Sequence, residues 1–381
     1  MNSLFLLDPA LTLDEFDHHY CNFKEVSLTC REMQIDLHVL ASAWCKTSSN
    51  HSATPFFKSQ TYYFFESMSD FLSRIDAINT LVHNDYAETL FGEGARILLQ
   101  TASPWHLRGL AERLDPVNNI RIAVGLILPS SFWTKDPELQ ILLDEMTAHA
   151  ISRLERKNLF LFSETGYSKA SGHLPLCLGA LMSDTSLQLC KKLANQKNRD
   201  NTDNCVTFGF FGGLFDHKGL HLIVDAAKYA ASHVGHRIVF FVPPHHQNRI
   251  SSLNMSGLEC VEISTSELLY EFYLTKMGSV SAVLCCYDRA FYGEQMSGIV
   301  SEAAALGVPA IVTRGTTLDR FLLTYAPGAG IPIEPDPVSL SAVLTLPYNY
   351  WEEKRKCALM SASLVQELKS CRRFLGLALD L

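Results

Sequence analysis

The segment VTFGFFGGLFDHKGLHLIVDAAKYA, residues 206–230, decides the fold prediction because one short turn joins a strand-like apolar run to apolar residues at helical spacing. Val206–Phe210 is a run of aromatic and β-branched residues, which is typical of a buried strand. Gly212-Gly213 ends this run, and apolar residues then recur at helical spacing through Gly219–Ser232. A strand that passes through a glycine turn into a helix is the building unit of parallel sheets.

The same alternation extends in both directions and predicts an α/β chain. Further strands are predicted at Ser3–Leu7, Asp36–Ala41, Arg96–Thr101, Arg121–Leu128, Leu159–Ser163, Arg237–Val242, Glu259–Glu262, Ser281–Cys286, Ala310–Thr313 and Ile331–Ile333, with an extra aromatic strand in Thr54–Phe65. Helices are predicted at His19–Met33, Ser69–Glu88, Pro104–Leu114, Pro137–Arg156, Ser266–Thr275, Gly298–Leu306, Thr317–Tyr325 and from Tyr350 onward, with Asp336-Pro337 as a helix start.

Length and polarity indicate two domains. The chain has 381 residues, 47% of them hydrophobic, which exceeds one ordinary core. The most hydrophilic stretch, KKLANQKNRDNTDN at 191–204, marks a boundary. We therefore expect domains at 1–190 and 191–361, with a terminal helix at 362–381 and a ligand cleft between the domains.

Composition excludes several classes of function. The net charge is −8 and the pI about 6.0, so no basic nucleic-acid footprint is expected. The eleven cysteines are scattered without a CxxC pair, which favours unpaired thiols in a reducing compartment. The N-terminal apolar run has no basic residues before it, and no stretch of about 18 apolar residues occurs, so neither a signal peptide nor a membrane span is expected. These features favour a cytoplasmic protein, with peripheral membrane contact left open.

The first candidate site is the glycine turn of the quoted segment. Glycines let a backbone approach a ligand closely, and the following helix start presents N–H groups and a partial positive charge. Lys218 adds a full charge beside them. Gly212, Gly213 and Lys218 could together hold a diphosphate, although an ordinary strand–helix link with an exposed lysine has the same pattern.

The second candidate site is YDRAFYGEQMSGIVSEAAALGVPAIVTRGTT, residues 287–317, with two glutamates eight positions apart. Glu294 precedes the predicted helix start at Ser297-Gly298, so it could point towards a sugar. Glu302 lies in the helix and could accept hydrogen bonds from ribose hydroxyls. The amides around Ser297, Gly298 and Ile299 could face phosphate. The alternative is a solvated loop glutamate followed by a helix-face carboxylate.

Both segments resemble the C-terminal domain of retaining GT-B glycosyltransferases, in particular glycosyltransferase family 4. That family has a G-R-L-x-x-x-K-G loop and two glutamates separated by seven residues, followed by A-x-A-x-G-x-P. Lys218-Gly219, Glu294, Glu302-Ala303, Gly307 and Pro309 match these patterns over roughly residues 206–337. The resemblance implies two Rossmann-like domains with parallel sheets facing across a cleft, with Lys218 on the donor diphosphate, Glu294 on the donor sugar and Glu302 on the ribose. It also implies that the C-terminal helix at 362–381 crosses back to the N-terminal domain.

Two departures qualify the resemblance. The family arginine falls on Gly213, so Arg289, Arg314 or His217 would have to supply the missing charge. The E-G-F-G start is replaced by EQMS at 294–297. These changes leave the donor open and favour, as an alternative, a relative without catalytic activity.

The N-terminal half carries weaker signals for an acceptor site. His18 and His19 begin a predicted helix after the first strand, and His106 lies near the end of a later strand. The alternatives are an acidic helix cap with solvated histidines and a packed histidine. The pair His245-His246 has no third ligand at usable spacing, which favours a loop over a metal site.

The sequence thus predicts a glycosyltransferase that moves a sugar from a UDP- or GDP-sugar to a glycan or lipid-linked acceptor, with Glu294 and Lys218 in catalysis and retention of anomeric configuration. A role in surface polysaccharide assembly fits this resemblance. No metal or other cofactor is expected. The alternatives are a non-catalytic binding protein and a sugar-nucleotide epimerase of the same fold.

Overall fold

The computed structural model describes residues 3–12, 18–46, 53–89, 91–168, 171–173, 176, 181–196, 205–230, 236–246, 249, 258–265 and 269–381, with only the backbone of 18, 167, 168, 173 and 245. The chain folds into two compact units. The first comprises Met1–Asp184 and Ser370–Leu381, and the second Thr185–Lys369.

The first unit is built on a six-stranded parallel sheet. Its strands are β1 (Ser3–Asp8), β2 (Asp36–Ser42), β3 (Ala53–Phe57), β4 (Arg96–Leu99), β5 (Arg121–Gly125) and β6 (Asn158–Phe162), in the order β3-β2-β1-β4-β5-β6. A two-stranded antiparallel ribbon, β7 (Tyr167–Ser168) with β8 (Gly172–His173), follows. The helices are α1 (His18–Glu32), α2 (Met68–Ala87), α3 (Pro104–Leu114), α4 (Ser130–Trp133), α5 (Pro137–Leu154) and the start of α6 (Asp184–Asn195).

The second unit repeats this plan. Its strands are β9 (Val206–Phe211), β10 (His236–Val242), β11 (Val261–Thr265), β12 (Ala282–Cys285), β13 (Ala310–Thr313) and β14 (Gly330–Ile333), in the order β11-β10-β9-β12-β13-β14. Its helices are α7 (Leu220–Ala230), α8 (Tyr270–Ser279), α9 (Arg289–Tyr292), α10 (Gly298–Ala305), α11 (Thr317–Tyr325), α12 (Pro337–Leu344) and α13 (Tyr348–Leu368), after which α14 (Cys371–Leu379) belongs to the first unit. The predicted α/β class with two parallel sheets is confirmed.

Both sheets are covered on their two faces, as parallel sheets require. Successive side chains of β4 alternate between cores, so Ile97 and Leu99 join one cluster while Leu98 joins the other. In the second unit Phe208, Phe210 and Phe240 are almost completely buried. Burying each such ring contributes roughly 1.5–3 kcal/mol.

Three local predictions differ from the structure. The predicted aromatic strand is only Ala53–Phe57, because the chain then leaves the sheet and Asp85 accepts the amide hydrogens of Lys58 and Ser59. The helix predicted at 266–275 is observed as Tyr270–Ser279 with Leu269 at its N-cap, and residues 266–268 lie outside the described part of the chain. The C-terminal helix is broken at Lys369-Ser370, where the Ser370 hydroxyl accepts from the Arg373 amide and starts α14.

None of the helices within the described ranges combines the length and the apolarity needed to cross a bilayer.

Candidate functional site

The second sheet has a switch point between β9 and β12, where the strand order reverses, and ligands of open α/β sheets bind at such points. The loops that follow these two strands touch each other there, since the Asp288 amide donates to the His217 carbonyl at 2.8 Å. Gly219 has φ +73°, and a Cβ at this position would lie 1.9 Å from the Cys286 carbonyl oxygen. Only glycine allows this approach.

Lys218 lies where the glycine turn meets the start of α10. Gly212 has φ +99°, and a Cβ there would lie 3.2 Å from Lys218 Nζ and 3.6 Å from Ile299 Cδ1. The Gly212 amide donates to the Phe241 carbonyl at 3.1 Å, so the sheet already uses it. The predicted residues Gly212, Lys218 and Ile299 are therefore brought together, with the lysine rather than the Gly212 amide as the polar group.

The Lys218 ammonium is partly buried between aromatic rings. Its Nζ lies 5.7 Å from the centroid of Phe215 and 5.9 Å from that of Tyr287. Within the described ranges, no carboxylate forms an ion pair with it and no acceptor forms a hydrogen bond with its Nζ. Burial lowers its pKa below the ordinary value. A desolvated cation without a partner is costly, so this position is suited to an anionic ligand.

Two further polar features lie close by. Ser297 is the N-cap residue of α10, but its side chain makes no capping bond, so the first-turn amides of Gly298 and Ile299 start the helix without that cap. The Tyr287 hydroxyl is buried, and the side chains of Ser297 and Cys285 lie beside it. Burial raises its pKa well above the usual value. Sequence reasoning missed Tyr287, although it directly follows a buried strand at the switch point.

The two glutamates of the second motif lie in different environments. Glu294 is exposed in the loop between α9 and α10. Glu302 is only 4% exposed, and its two carboxylate oxygens accept from the hydroxyls of Tyr270 at 2.9 Å and Tyr273 at 2.6 Å. Burial, followed by the Glu302 charge, raises the pKa of Tyr273 well above the usual value. The tyrosine pair was missed, although its i, i+3 spacing on a predicted helix places both rings on one face.

The three residues proposed to supply the missing arginine charge are engaged elsewhere. Arg289 and Arg314 both pair with Glu334, at 2.8 and 3.0 Å. His217 stacks on Phe291 with ring centroids 4.6 Å apart, and burial together with the Lys218 charge lowers its pKa. The two arginines therefore share the single carboxylate of Glu334, which offsets one of their two charges, and His217 favours its uncharged form.

Other side chains fill the space beside Gly213. A Cβ at Gly213 would lie 2.5 Å from Phe215 Cε2 and 2.9 Å from His246 Nε2. Arg249 lies over the Phe215 ring at 5.6 Å and donates to the Leu214 carbonyl at 2.7 Å. A side chain at position 213 would therefore require Phe215 or His246 to move. The basic side chains of His246 and Arg249, from the chain after β10, both contact the neighbouring Phe215 ring.

The predicted acceptor histidines lie in the first unit. His19 is 2% exposed, and it bonds Asp8 Oδ2 through Nδ1 at 2.8 Å and the Tyr62 hydroxyl through Nε2 at 2.6 Å. Because the Asp8 carboxylate accepts, the proton is assigned to Nδ1, and Nε2 accepts from Tyr62. Asp8 ends β1, beside the switch point of the first sheet. His18 begins α1, but its side chain lies outside the described residues.

His106 lies in the core of the first unit. It is completely buried, its Nε2 bonds the Gln60 carbonyl at 3.2 Å, and its ring packs against Phe57 and Tyr86. Burial lowers its pKa to about 3. The structure therefore places a neutral packing histidine at this position, away from solvent.

Within the described residues, no group of three or more His, Cys, Asp or Glu side chains is arranged to hold a metal ion. His246 ends a short 3-10 turn, Pro244–His246, and the side chain of His245 lies outside the described part. Cys285 and Cys286 are buried free thiols, Cys190 is buried in α6, and Cys177 is not described.

Comparisons with known proteins show similarity of fold. No protein-family model matches the chain, and no curated protein sequence matches it. An α,α-trehalose-phosphate synthase (UDP-forming) from Burkholderia xenovorans, solved with glucose-6-phosphate, superimposes with a TM-score of 0.63 at 10% identity over 97% of both chains. Anabaena HepE in complex with UDP and glucose gives 0.58 at 12% identity, covering 97% of this chain and 96% of the other. The spinosyn rhamnosyltransferase SpnG, bound to its aglycone, gives 0.53 at 15% identity over 98% of each. These structures share the GT-B fold with this chain.

Proposed function

We propose that this chain is a glycosyltransferase that uses a nucleotide-diphosphate sugar, with the Thr185–Lys369 unit as the donor-binding unit. One observation carries the proposal: the partly buried Lys218 ammonium has no anionic partner in the described residues, and it lies beside Gly212 and the start of α10 at the sheet's switch point. The proposal is supported by similar folds whose structures contain UDP or sugars.

The chemistry at this position is electrostatic. When a glycosidic donor bond breaks, negative charge develops on the departing nucleoside diphosphate. Lys218 and the first-turn amides of α10 would stabilise that charge, and their fixed positions avoid the cost of reorganising water. Tyr287 would donate its hydroxyl hydrogen bond to the same group.

The finer assignments rest on the sequence pattern. We propose retention of the anomeric configuration because the two glutamates and Lys218-Gly219 match that pattern. Glu294 would contact the donor sugar, and Glu302 would accept from the ribose. We further propose that the donor is a UDP- or GDP-sugar and that the acceptor is a glycan or a lipid-linked molecule. The protein would act in surface polysaccharide assembly, at the cytoplasmic face of a membrane.

For the acceptor, we propose the hydrogen-bonded chain Asp8–His19–Tyr62. Its members come from β1, α1 and the chain after β3, and it lies at the carboxyl end of β1, where acceptor hydroxyls would approach. The assigned tautomer would let the Tyr62 hydroxyl pass a proton towards His19.

A second candidate is a non-catalytic binding protein of the same fold. Two observations favour it: glycine stands at 213, where an arginine would require Phe215 or His246 to move, and both oxygens of Glu302 already accept tyrosine hydroxyls. A sugar-nucleotide epimerase is distinguished by its product, because mass analysis would then show a changed donor with no sugar transferred.

Lys218→Ala tests the donor site, and Lys228→Ala is a matched control. Lys228 lies in α7 on the surface and pairs with Asp225 at 2.7 Å. A hydrogen bond to a charged group contributes about 1.5–3 kcal/mol, so Lys218→Ala should weaken binding of UDP or GDP about 10- to 150-fold in calorimetry. The melting temperature should not fall, since the substitution removes a desolvated charge.

Three outcomes separate the candidates. Donor binding with sugar transfer, lost in Lys218→Ala and retained in Lys228→Ala, supports the transferase. Binding without transfer to any acceptor or change of the sugar supports the non-catalytic protein. Wild-type affinity in the Lys218 variant would refute the assigned site.

A further inference from the structure

Two consecutive glycines at the end of β9, Gly212 and Gly213, are each covered by a basic side chain. Neither glycine has a Cβ atom. A Cβ built on Gly212 would lie 3.2 Å from Lys218 Nζ, and one built on Gly213 would lie 2.9 Å from His246 Nε2. Consecutive Cα atoms are about 3.8 Å apart. Lys218 Nζ and His246 Nε2 therefore lie beside adjacent residues of the chain.

His246 reaches the glycine pair from the neighbouring strand. The 3-10 turn Pro244–His246 follows β10, which pairs with β9 in the sheet. The His246 amide donates to the Pro243 carbonyl at 3.0 Å, which closes the turn, and Phe215 meets the imidazole edge to face with centroids 5.0 Å apart. The imidazole is thus held by a backbone turn and a ring contact.

Any side chain at position 213 would contact this imidazole and the Phe215 ring. A contact of 2.9 Å is closer than real Cβ atoms approach a neighbour, so even alanine would force His246 or Phe215 to move. The glycine at 213 therefore makes room for a nitrogen base from another element. Glycine at 212 does the same for Lys218.

We propose that His246 is a second diphosphate-binding residue, which acts with Lys218 on the pyrophosphate group of the donor. This inference rests on the proposed function and adds a residue to its site. An imidazole N–H donates to phosphate oxygens in either state, and protonation on the acid side of neutrality adds a charge. The imidazole from the turn after β10 would thus bind the diphosphate beside Gly213, a residue that has no side chain of its own.

The surroundings of His246 contain several other charges. Lys218 and Arg249 both lie over the Phe215 ring, and His217 stacks against that ring. The carboxylates of Asp216 and Asp288 act in the opposite direction and raise the pKa of His217. All of these groups remain in a His246 variant, so a difference between variant and wild type isolates the imidazole.

The test uses His246→Ala and His246→Gln in the full chain, with His83→Asn as a control at an exposed histidine of α2. Calorimetry at pH 6.5 measures the affinity for inorganic pyrophosphate and for UDP. We expect His246→Ala to weaken both by about tenfold or more, as for loss of a hydrogen bond to a charged group. His246→Gln should weaken binding less, because its amide N–H reaches the position of Nε2. His83→Asn should bind as the wild type does.

A pH comparison separates this role from simple packing. The diphosphate of UDP-glucose has no proton to lose between pH 6 and 8, so changes in its affinity report on the protein. Wild-type affinity should decrease from pH 6 to pH 8, and the decrease should be smaller in His246→Gln. A packing role for His246 would leave the two profiles parallel.

The outcomes for the two proposals differ. Wild-type affinity and pH profile in both His246 variants, with binding lost in Lys218→Ala, would overturn the inference and leave the proposed function intact. A wild-type protein that binds neither pyrophosphate, UDP, UDP-glucose nor GDP-mannose would overturn both.

Discussion

A Glu302→Ala substitution should destabilise the Thr185–Lys369 unit as well as weaken donor binding. The carboxylate is 4% exposed and accepts the hydroxyls of Tyr270 and Tyr273. Alanine would leave both hydroxyls without this acceptor. The residue therefore has a structural role in addition to the ribose contact that we propose.

The magnitude follows from the two hydrogen bonds. Each hydroxyl that loses this acceptor costs about 1–3 kcal/mol, so the variant should lose about 2–6 kcal/mol. For a unit of this size each kcal/mol lowers the melting temperature by about 2–4 °C. The calorimetric transition of this unit should therefore move down by about 4–24 °C.

Differential scanning calorimetry of Glu302→Ala, with Glu294→Ala as the matched control, measures this effect. Glu294 is the other glutamate of the same motif and is exposed, so its variant should melt within about 1–2 °C of wild type. Tyr273→Phe should cost less in the Glu302→Ala background than in wild type, because the hydroxyl there has already lost its acceptor. A wild-type melting temperature for Glu302→Ala, or additive effects of the two substitutions, would refute the reasoning.

Two more outcomes follow from single residues. Gly219→Ala adds a Cβ 1.9 Å from the Cys286 carbonyl oxygen at φ +73°, whereas Gly94→Ala, at φ +79°, meets nothing within 4 Å. We expect Gly219→Ala to lower the free energy of unfolding by at least ~2 kcal/mol more than Gly94→Ala does. Equal losses in thermal unfolding would contradict the contact. Burial lowers the pKa of His106 to about 3, so the stability linked to its neutral form is present above the unfolded value of about 6.5 and decreases as the pH falls from 6.5 to 3. NMR signals of its ring should not titrate between pH 5 and 8, and a midpoint in that interval would show that the ring is accessible to water.

Local pattern predicted most elements of the fold. The helices Pro104–Leu114 and Thr317–Tyr325 and the strand Ala310–Thr313 have the predicted ends, because caps, prolines and apolar runs act within a few residues. The start of α8 and the end of the third strand were displaced. In the latter, Asp85 from a distant helix takes the amides that would otherwise extend the strand.

In the candidate site, too, local features were predicted from the sequence and contacts between distant residues were not. Glycines at a strand end and a lysine at a helix start are local signals, and the structure brings Gly212, Lys218 and Ile299 together. Pairings between distant residues could not be read locally: Tyr270 and Tyr273 on Glu302, Tyr62 on His19, and His246 beside Gly213.

By itself, the sequence determined the alternation of strands and helices and the order of the two motifs, since hydrophobic period and turn chemistry depend on near neighbours. Only the tertiary structure decided which polar groups meet. Partners of His19, Glu302 and Gly213 come from other strands and helices, and their distances depend on how the sheet aligns those elements.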